Sequence, residues 1–100
     1  MRNDADGAPM AEFSLEVFIK PGCPWCVESV AWLTENGYEF TEYDVIADRG
    51  RFEEMIALTG QSSAPSMRVT AGDDRGELVL ADFGVQELVP FLEKHGLHGA

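Results

Sequence analysis

Cys23 and Cys26 are the only cysteines in the 100-residue chain, and they stand three apart in the run Lys20-Pro21-Gly22-Cys23-Pro24-Trp25-Cys26. Two thiols at that spacing can close into a disulfide and open again, so the chemistry to expect is thiol–disulfide exchange. The surrounding elements decide whether the pair is reactive. The residues before it read as a strand, and those after it as a helix with Pro24 at the first helical position, where a missing N–H is harmless. Cys23 then becomes the N-cap, facing the free N–H groups and the positive end of the helix dipole. A thiolate is the attacking form of cysteine, and this position favours it. The dipole supplies only roughly 0.3–1 kcal/mol at an exposed site, so hydrogen bonds to the sulfur must add to it. Lys20 is the nearby cation that would help, and Glu28 would oppose it if turned toward the site. Cys26, one turn deeper, is the resolving thiol: Cys23 attacks a disulfide, and Cys26 then attacks the mixed disulfide. Two inert core cysteines are the alternative, but the exposed helix start flanked by Pro, Gly and Trp speaks for reactive ones.

The elements that must hold this pair can be read from periodicity. Residues 15–20 alternate, with Leu15, Val17 and Ile19 on one face and Phe18 on the other, and predict a strand ended by Pro21-Gly22. Residues 24–36 predict a helix with Val27, Val30, Ala31 and Leu33 at helical spacing and Asn36-Gly37 as its stop. Residues 39–45 predict a second strand. Asp48 caps a second helix to Thr59, with Phe52, Met55, Ile56 and Thr59 as its stripe and Gly60 as its end. Residues 66–71 and 77–83 predict strands joined through Gly72-Asp73-Asp74-Arg75-Gly76 as an antiparallel hairpin. Residues 85–95 predict a last helix with Leu88, Phe91 and Leu92 inward; Pro90 should kink it or delay its start. The order βαβαββα lets the first two strands pair in parallel through a right-handed crossover. The expected fold is α/β: a four-stranded mixed sheet with three helices on its faces.

One domain is all that 100 residues at 45% hydrophobic composition allow. Residues 1–12 are polar, aperiodic and without a signal-peptide pattern, so a flexible tail precedes a domain over 13–100, and Met10 is a second candidate start. Seven Lys and Arg against 18 Asp and Glu give a net charge of −11, which disfavours nucleic acid and anionic membranes as partners. No run is long and apolar enough to span a bilayer. A structural zinc would need His95 and His98 to complete the ligand set from the far end of the chain, so no metal is expected. A close cysteine pair without an export signal points to the cytoplasm. A monomer is expected.

Four stretches make the chain similar to the glutaredoxins of the thioredoxin-fold superfamily. They are the Lys20–Cys26 run, with Trp25 where Tyr or Phe is usual; Thr59-Gly60-Gln61-Ser62-Ser63-Ala64-Pro65; the element order from Leu15 to His95; and Ala81-Asp82-Phe83-Gly84-Val85-Gln86-Glu87-Leu88, where the family carries Gly-Gly-Cys/Ser-Asp-Asp-Leu. The resemblance implies a thioredoxin-like fold and a cis Ala64–Pro65 bond beside Cys23, with the Ala64 backbone open to an extended substrate. It implies glutathione as the reductant and a ligand of Lys20, Trp25, Gln61, Ala64, Pro65, Gly84 and Val85, with Pro24 shaping the site. The match departs at the last helix: Phe83 replaces a glycine, Gln86 and Glu87 replace the aspartates, and only Gln86 or Asp82 could meet the glutathione amine. The implied function is reduction of protein disulfides or glutathione mixed disulfides. The altered helix start keeps open a variant that takes electrons from thioredoxin reductase. An iron–sulfur carrier is a further alternative, which Pro24 argues against by stiffening the loop. Trp25 should form an apolar wall for the substrate and Trp32 should pack.

Overall fold

Strand β1 (Phe13–Ile19) alternates its side chains as a strand buried on both faces must, and the sheet is built around it. The structure is a computed structural model describing residues 13–71 and 76–99. The expected tail over 1–12, residues 72–75 of the expected turn and the last residue of the expected 13–100 domain lie outside the described residues. The remaining elements are α1 (Pro24–Glu35), β2 (Thr41–Asp44), α2 (Arg49–Thr59), β3 (Ser66–Ala71), β4 (Glu77–Leu80) and α3 (Val85–Lys94). The sheet order is β2-β1-β3-β4. β1 pairs with β2 in parallel and with β3 antiparallel, and β3 pairs with β4 antiparallel. The expected α/β architecture and its βαβαββα order are therefore found.

The two faces of β1 carry two cores. Leu15 and Val17 join Leu33 of α1 and Leu88 and Leu92 of α3 on one side. Phe18 joins Val45 and Met55 of α2 on the other. Each side removes large aliphatic and aromatic side chains from water, at about 1.5–3 kcal/mol per residue before the entropy of ordering is set against it.

Several boundaries and stripes differ from the sequence expectation. β1 begins at Phe13 and stops before Lys20. β2 is four residues long because the Asp44 carboxylate takes the N–H groups of Ile46 and Ala47, at 2.9 and 3.0 Å, and turns the chain. β4 ends at Leu80: Asp82 has φ 52°, and the Phe83 N–H turns to the Pro65 carbonyl at 3.0 Å. The inner stripe of α1 is Cys26, Ser29 and Leu33, while Val27 is 62% exposed. Apolar residues alone mislead there, because two of the three inward positions carry Cys and Ser. On α2 the exposed residue is Ile56, and Leu58 packs inward in its place. α3 starts at Val85 and runs through Pro90 with no late start. Gln86 and Pro90 are both exposed, so the carbonyl deprived of its helical donor is on the solvent side.

Candidate active site

The turn before α1 sets the position of Cys23. Pro21 supplies the fixed φ and Gly22 the positive one, at 78°, for a turn closed by the Cys23 N–H on the Lys20 carbonyl at 3.2 Å. Cys23 is the N-cap of α1 and Pro24 its first residue. The Cys23 sulfur accepts from the Cys26 backbone N–H at 3.4 Å and lies 3.8 Å from the Ala64 carbonyl, to which the thiol donates. Both cysteines are free thiols; Cys23 is half-buried and Cys26 only 2% exposed. Burial pushes the Cys26 thiol up to about 11, with the neighbouring Cys23 adding to it and the Lys20 backbone N–H opposing it. The pair is thus divided by environment. One sulfur is reachable at a helix N-terminus, and the other is held protonated one turn inside.

One wall beside Cys23 is the loop ending in Pro65, whose bond with Ala64 is cis as expected. This wall is stitched to itself. Gln61 Nε2 donates to Thr59 Oγ1 at 2.9 Å, and to the Ser63 carbonyl and Ser66 Oγ at 3.2 Å each. Gln61 Oε1 accepts the Ser63 N–H. Ser66 Oγ in turn donates to the Ser63 carbonyl at 3.0 Å and accepts the Asp82 N–H at 3.2 Å. Lys20 Nζ donates to the Ser62 carbonyl at 2.8 Å and lies over the Phe52 ring. Lys20 and Gln61, both expected to face a ligand, therefore each donate a hydrogen bond into this loop, and Lys20 also lines a hollow that Cys26 shares.

The other wall is the start of α3. Trp25 is 60% exposed. A Cβ on Gly84 would stand 3.2 Å from its Cδ1, so the indole lies against a position that only glycine leaves open. Between them runs a groove of about 470 Å³ lined by Trp25, Ala64, Gly84, Val85 and the carboxylate-bearing Glu28, Asp82 and Glu87. No Lys or Arg lines it among the described residues. The Gly84 N–H is taken by Glu87 Oε1 at 2.8 Å. Phe83, in place of a glycine, is a core residue only 2% exposed. Of the expected contacts, the fold brings Trp25, Ala64, Gly84 and Val85 to this groove. Lys20 and Gln61 fall outside its lining, and Pro65 is buried behind Ala64. Trp32 packs on the core, its ring 5.8 Å from Tyr38, as expected of it.

Two features escaped the sequence reading. Glu87 caps Gly84 from three residues on, a capping spacing already present in the sequence. Ser29 is fully buried on the α1 face that carries Cys26, and only its spacing of three from that cysteine signalled it. Among the described residues no group of three or more His, Cys, Asp or Glu is gathered around a common point.

The comparisons with known proteins agree with this geometry. The Glutaredoxin family model matches residues 15–71, more than half of the chain. An uncharacterized glutaredoxin-like 8.6 kDa protein in the rubredoxin operon of Clostridium pasteurianum is 25% identical over 80 residues, 80% of this chain and 99% of that one. Glutaredoxin 3 of Escherichia coli K12 is 29% identical over 58 residues, 58% of this chain and 70% of that one. The crystal structure of the thioredoxin-like protein BC3987 superposes with a TM-score of 0.62 at 26% identity, covering 79% of this chain and all of that one. With two free thiols three residues apart at the N-terminus of α1 and a cis proline in the loop beside Cys23, the chain belongs to the glutaredoxin family of thioredoxin-fold thiol–disulfide oxidoreductases.

Proposed function

We propose that this chain reduces protein disulfides or glutathione mixed disulfides by a two-thiol route in the cytoplasm, with glutathione returning the electrons. The Cys23 thiolate attacks one sulfur of the substrate disulfide, the other sulfur leaves as a thiolate and takes a proton, and a mixed disulfide forms. Cys26 then loses its proton and attacks the Cys23 sulfur, releasing the second substrate thiol. The substrate gains two electrons and the Cys23–Cys26 pair loses two. Two molecules of glutathione reverse that oxidation and leave as glutathione disulfide. The observation that carries this reading is the unequal burial of the two thiols around one helix start. The half-buried Ala64, whose carbonyl lies 3.8 Å from the Cys23 sulfur and which lines the groove, offers an extended substrate a strand-like edge.

A second electron source is favoured by one observation. The groove beside Trp25 presents Glu28, Asp82 and Glu87 to an incoming ligand, and glutathione is itself an anion. A flavoprotein of the thioredoxin reductase type would need no such groove. Turnover is to be compared with glutathione plus glutathione reductase and with thioredoxin reductase, on a glutathionylated peptide and on a protein disulfide. Cys23→Ser is expected to abolish all turnover. Cys26→Ser should retain part of the activity on the glutathionylated peptide and lose that on the protein disulfide. Activity surviving in Cys23→Ser would overturn the assignment of the nucleophile. Turnover only with thioredoxin reductase would replace glutathione as the electron source.

A further inference from the structure

Among the described residues two fully buried side chains carry a hydroxyl, and they are treated oppositely. Ser66 makes three hydrogen bonds. Ser29 is 0% exposed and its Oγ has no partner at all. Helical hydroxyls elsewhere in this chain satisfy themselves locally: Thr34 donates to the Val30 carbonyl at 2.9 Å and Thr59 to the Met55 carbonyl at 2.8 Å, each four residues back. Ser29 does not take that route. Leaving a buried hydroxyl unpaired costs about 1–3 kcal/mol, so such a group calls for an explanation.

The explanation lies one turn toward the thiols. Side chains three apart on a helix are neighbours, with Cβ atoms about 5–6 Å apart, and each leans back over the turn that precedes it. Ser29 therefore leans toward Cys26, on the same buried face of α1. Cys26 is the sulfur that must carry a negative charge during resolution, in surroundings that hold water away from it. We propose that Ser29 is a positioning residue for the resolving step: its hydroxyl rotates to donate a hydrogen bond to the Cys26 sulfur as that sulfur becomes a thiolate. The hydroxyl keeps its own proton. The proton lost by Cys26 passes to the departing substrate thiolate, and the Cys23–Cys26 bond forms as the mixed disulfide breaks. In the resting dithiol state Cys26 is a thiol, a poor acceptor, and the hydroxyl waits without a partner. Burial that raises the Cys26 thiol to about 11 fits this division, because it is the transient thiolate that needs the donor. This inference rests on the two-thiol reading above.

The test uses the full chain and dithio-bis-nitrobenzoate, an aromatic disulfide that releases one coloured thiolate when Cys23 attacks and a second when Cys26 resolves. In Ser29→Ala the first release should keep its rate and the second should slow about tenfold, the value of one hydrogen bond to a charged group. Ser29→Thr, which keeps the hydroxyl, should restore most of the second rate. The thermal midpoint of Ser29→Ala should stay level or rise, since the hydroxyl it removes had no partner in the resting fold. An unchanged second release, an equal slowing of both releases, or a fall in the midpoint would each overturn the role given to Ser29. Absence of a second release from the unmodified chain would instead overturn the two-thiol reading itself.

Discussion

Two groups of carboxylates in this chain have opposite surroundings. Behind the sheet, Glu16 and Glu54 share Arg68, at 2.6 and 2.7 Å, and Glu54 also holds Arg51 at 2.8 Å. Arg51 stacks on the Tyr43 ring, and the Tyr43 hydroxyl returns to Glu16 at 2.8 Å, so a closed circuit ties β1, β2, β3 and α2 together. Beside the thiols, Glu28, Asp82 and Glu87 face the groove, with no cation in its lining among the described residues. The difference teaches where the scarce cations of a chain with net charge −11 are placed. Where a carboxylate meets a guanidinium it is part of the fold. Where it lines the groove beside Trp25 with no guanidinium opposite, it sets the charge of what can approach.

The largest effect should come from breaking the paired group. Arg68→Met removes the cation that Glu16 and Glu54 share while keeping most of the side chain's length. Breaking a fully buried pair costs about 3–5 kcal/mol; these side chains keep 15%, 21% and 29% exposure, which lets water screen part of it. A loss of about 2 kcal/mol is expected from the urea midpoint. The rate of the first thiolate release should be unchanged under folding conditions. A stability loss below a few tenths of a kcal/mol would place this circuit with ordinary surface pairs and remove the contrast.

The unpaired group should answer in the opposite way, through function. Removing charge with Glu28→Gln and Asp82→Asn leaves the fold intact, because Glu28 is exposed on α1 and Asn accepts the positive φ of position 82. Each unit charge about 6 Å from a ligand anion in water is worth about 0.7 kcal/mol, or about threefold. The double variant should lower the KM for glutathione up to about tenfold with kcat nearly constant, and the gain should shrink as salt is added. A KM that does not move would mean that glutathione does not use this groove.

The contrast also explains what could be read from the chain in advance. Element order, sheet pairing, the division of Cys23 from Cys26 and the cis Ala64–Pro65 bond were legible, because local spacing and a matching motif determine them. The hydrogen bonds of Lys20 and Gln61 were not: Lys20 donates to the Ser62 carbonyl, and Gln61 donates into the loop around Ser66. A motif fixes where a residue sits along the chain, but the competition for its hydrogen bonds is settled in three dimensions. The Arg68 circuit was illegible for the same reason: Glu16 and Arg68 meet only through the antiparallel register of β1 and β3. The stripes on α1 and α2 failed at Val27, Ala31 and Ile56 because hydrophobicity alone does not tell an inward position from an exposed apolar one.

The smallest effect tests the paired carboxylates by pH. The Arg68 hydrogen bond holds Glu16 below its ordinary value of 4.5, and the Arg51 hydrogen bond does the same for Glu54, with Arg68 adding to it. A carboxylate lowered in the folded state binds fewer protons there than in the unfolded one. Its contribution is therefore complete above the ordinary carboxylate value and is lost as pH falls through the lowered one. Urea midpoints measured from about pH 6 downward should hold level until about pH 5 and then decline. In Arg68→Met the decline should be shallower, because Glu16 loses its principal cause of lowering and Glu54 keeps only Arg51. A decline that Arg68→Met left unchanged would remove the pairing with Arg68 as the source of the acid response.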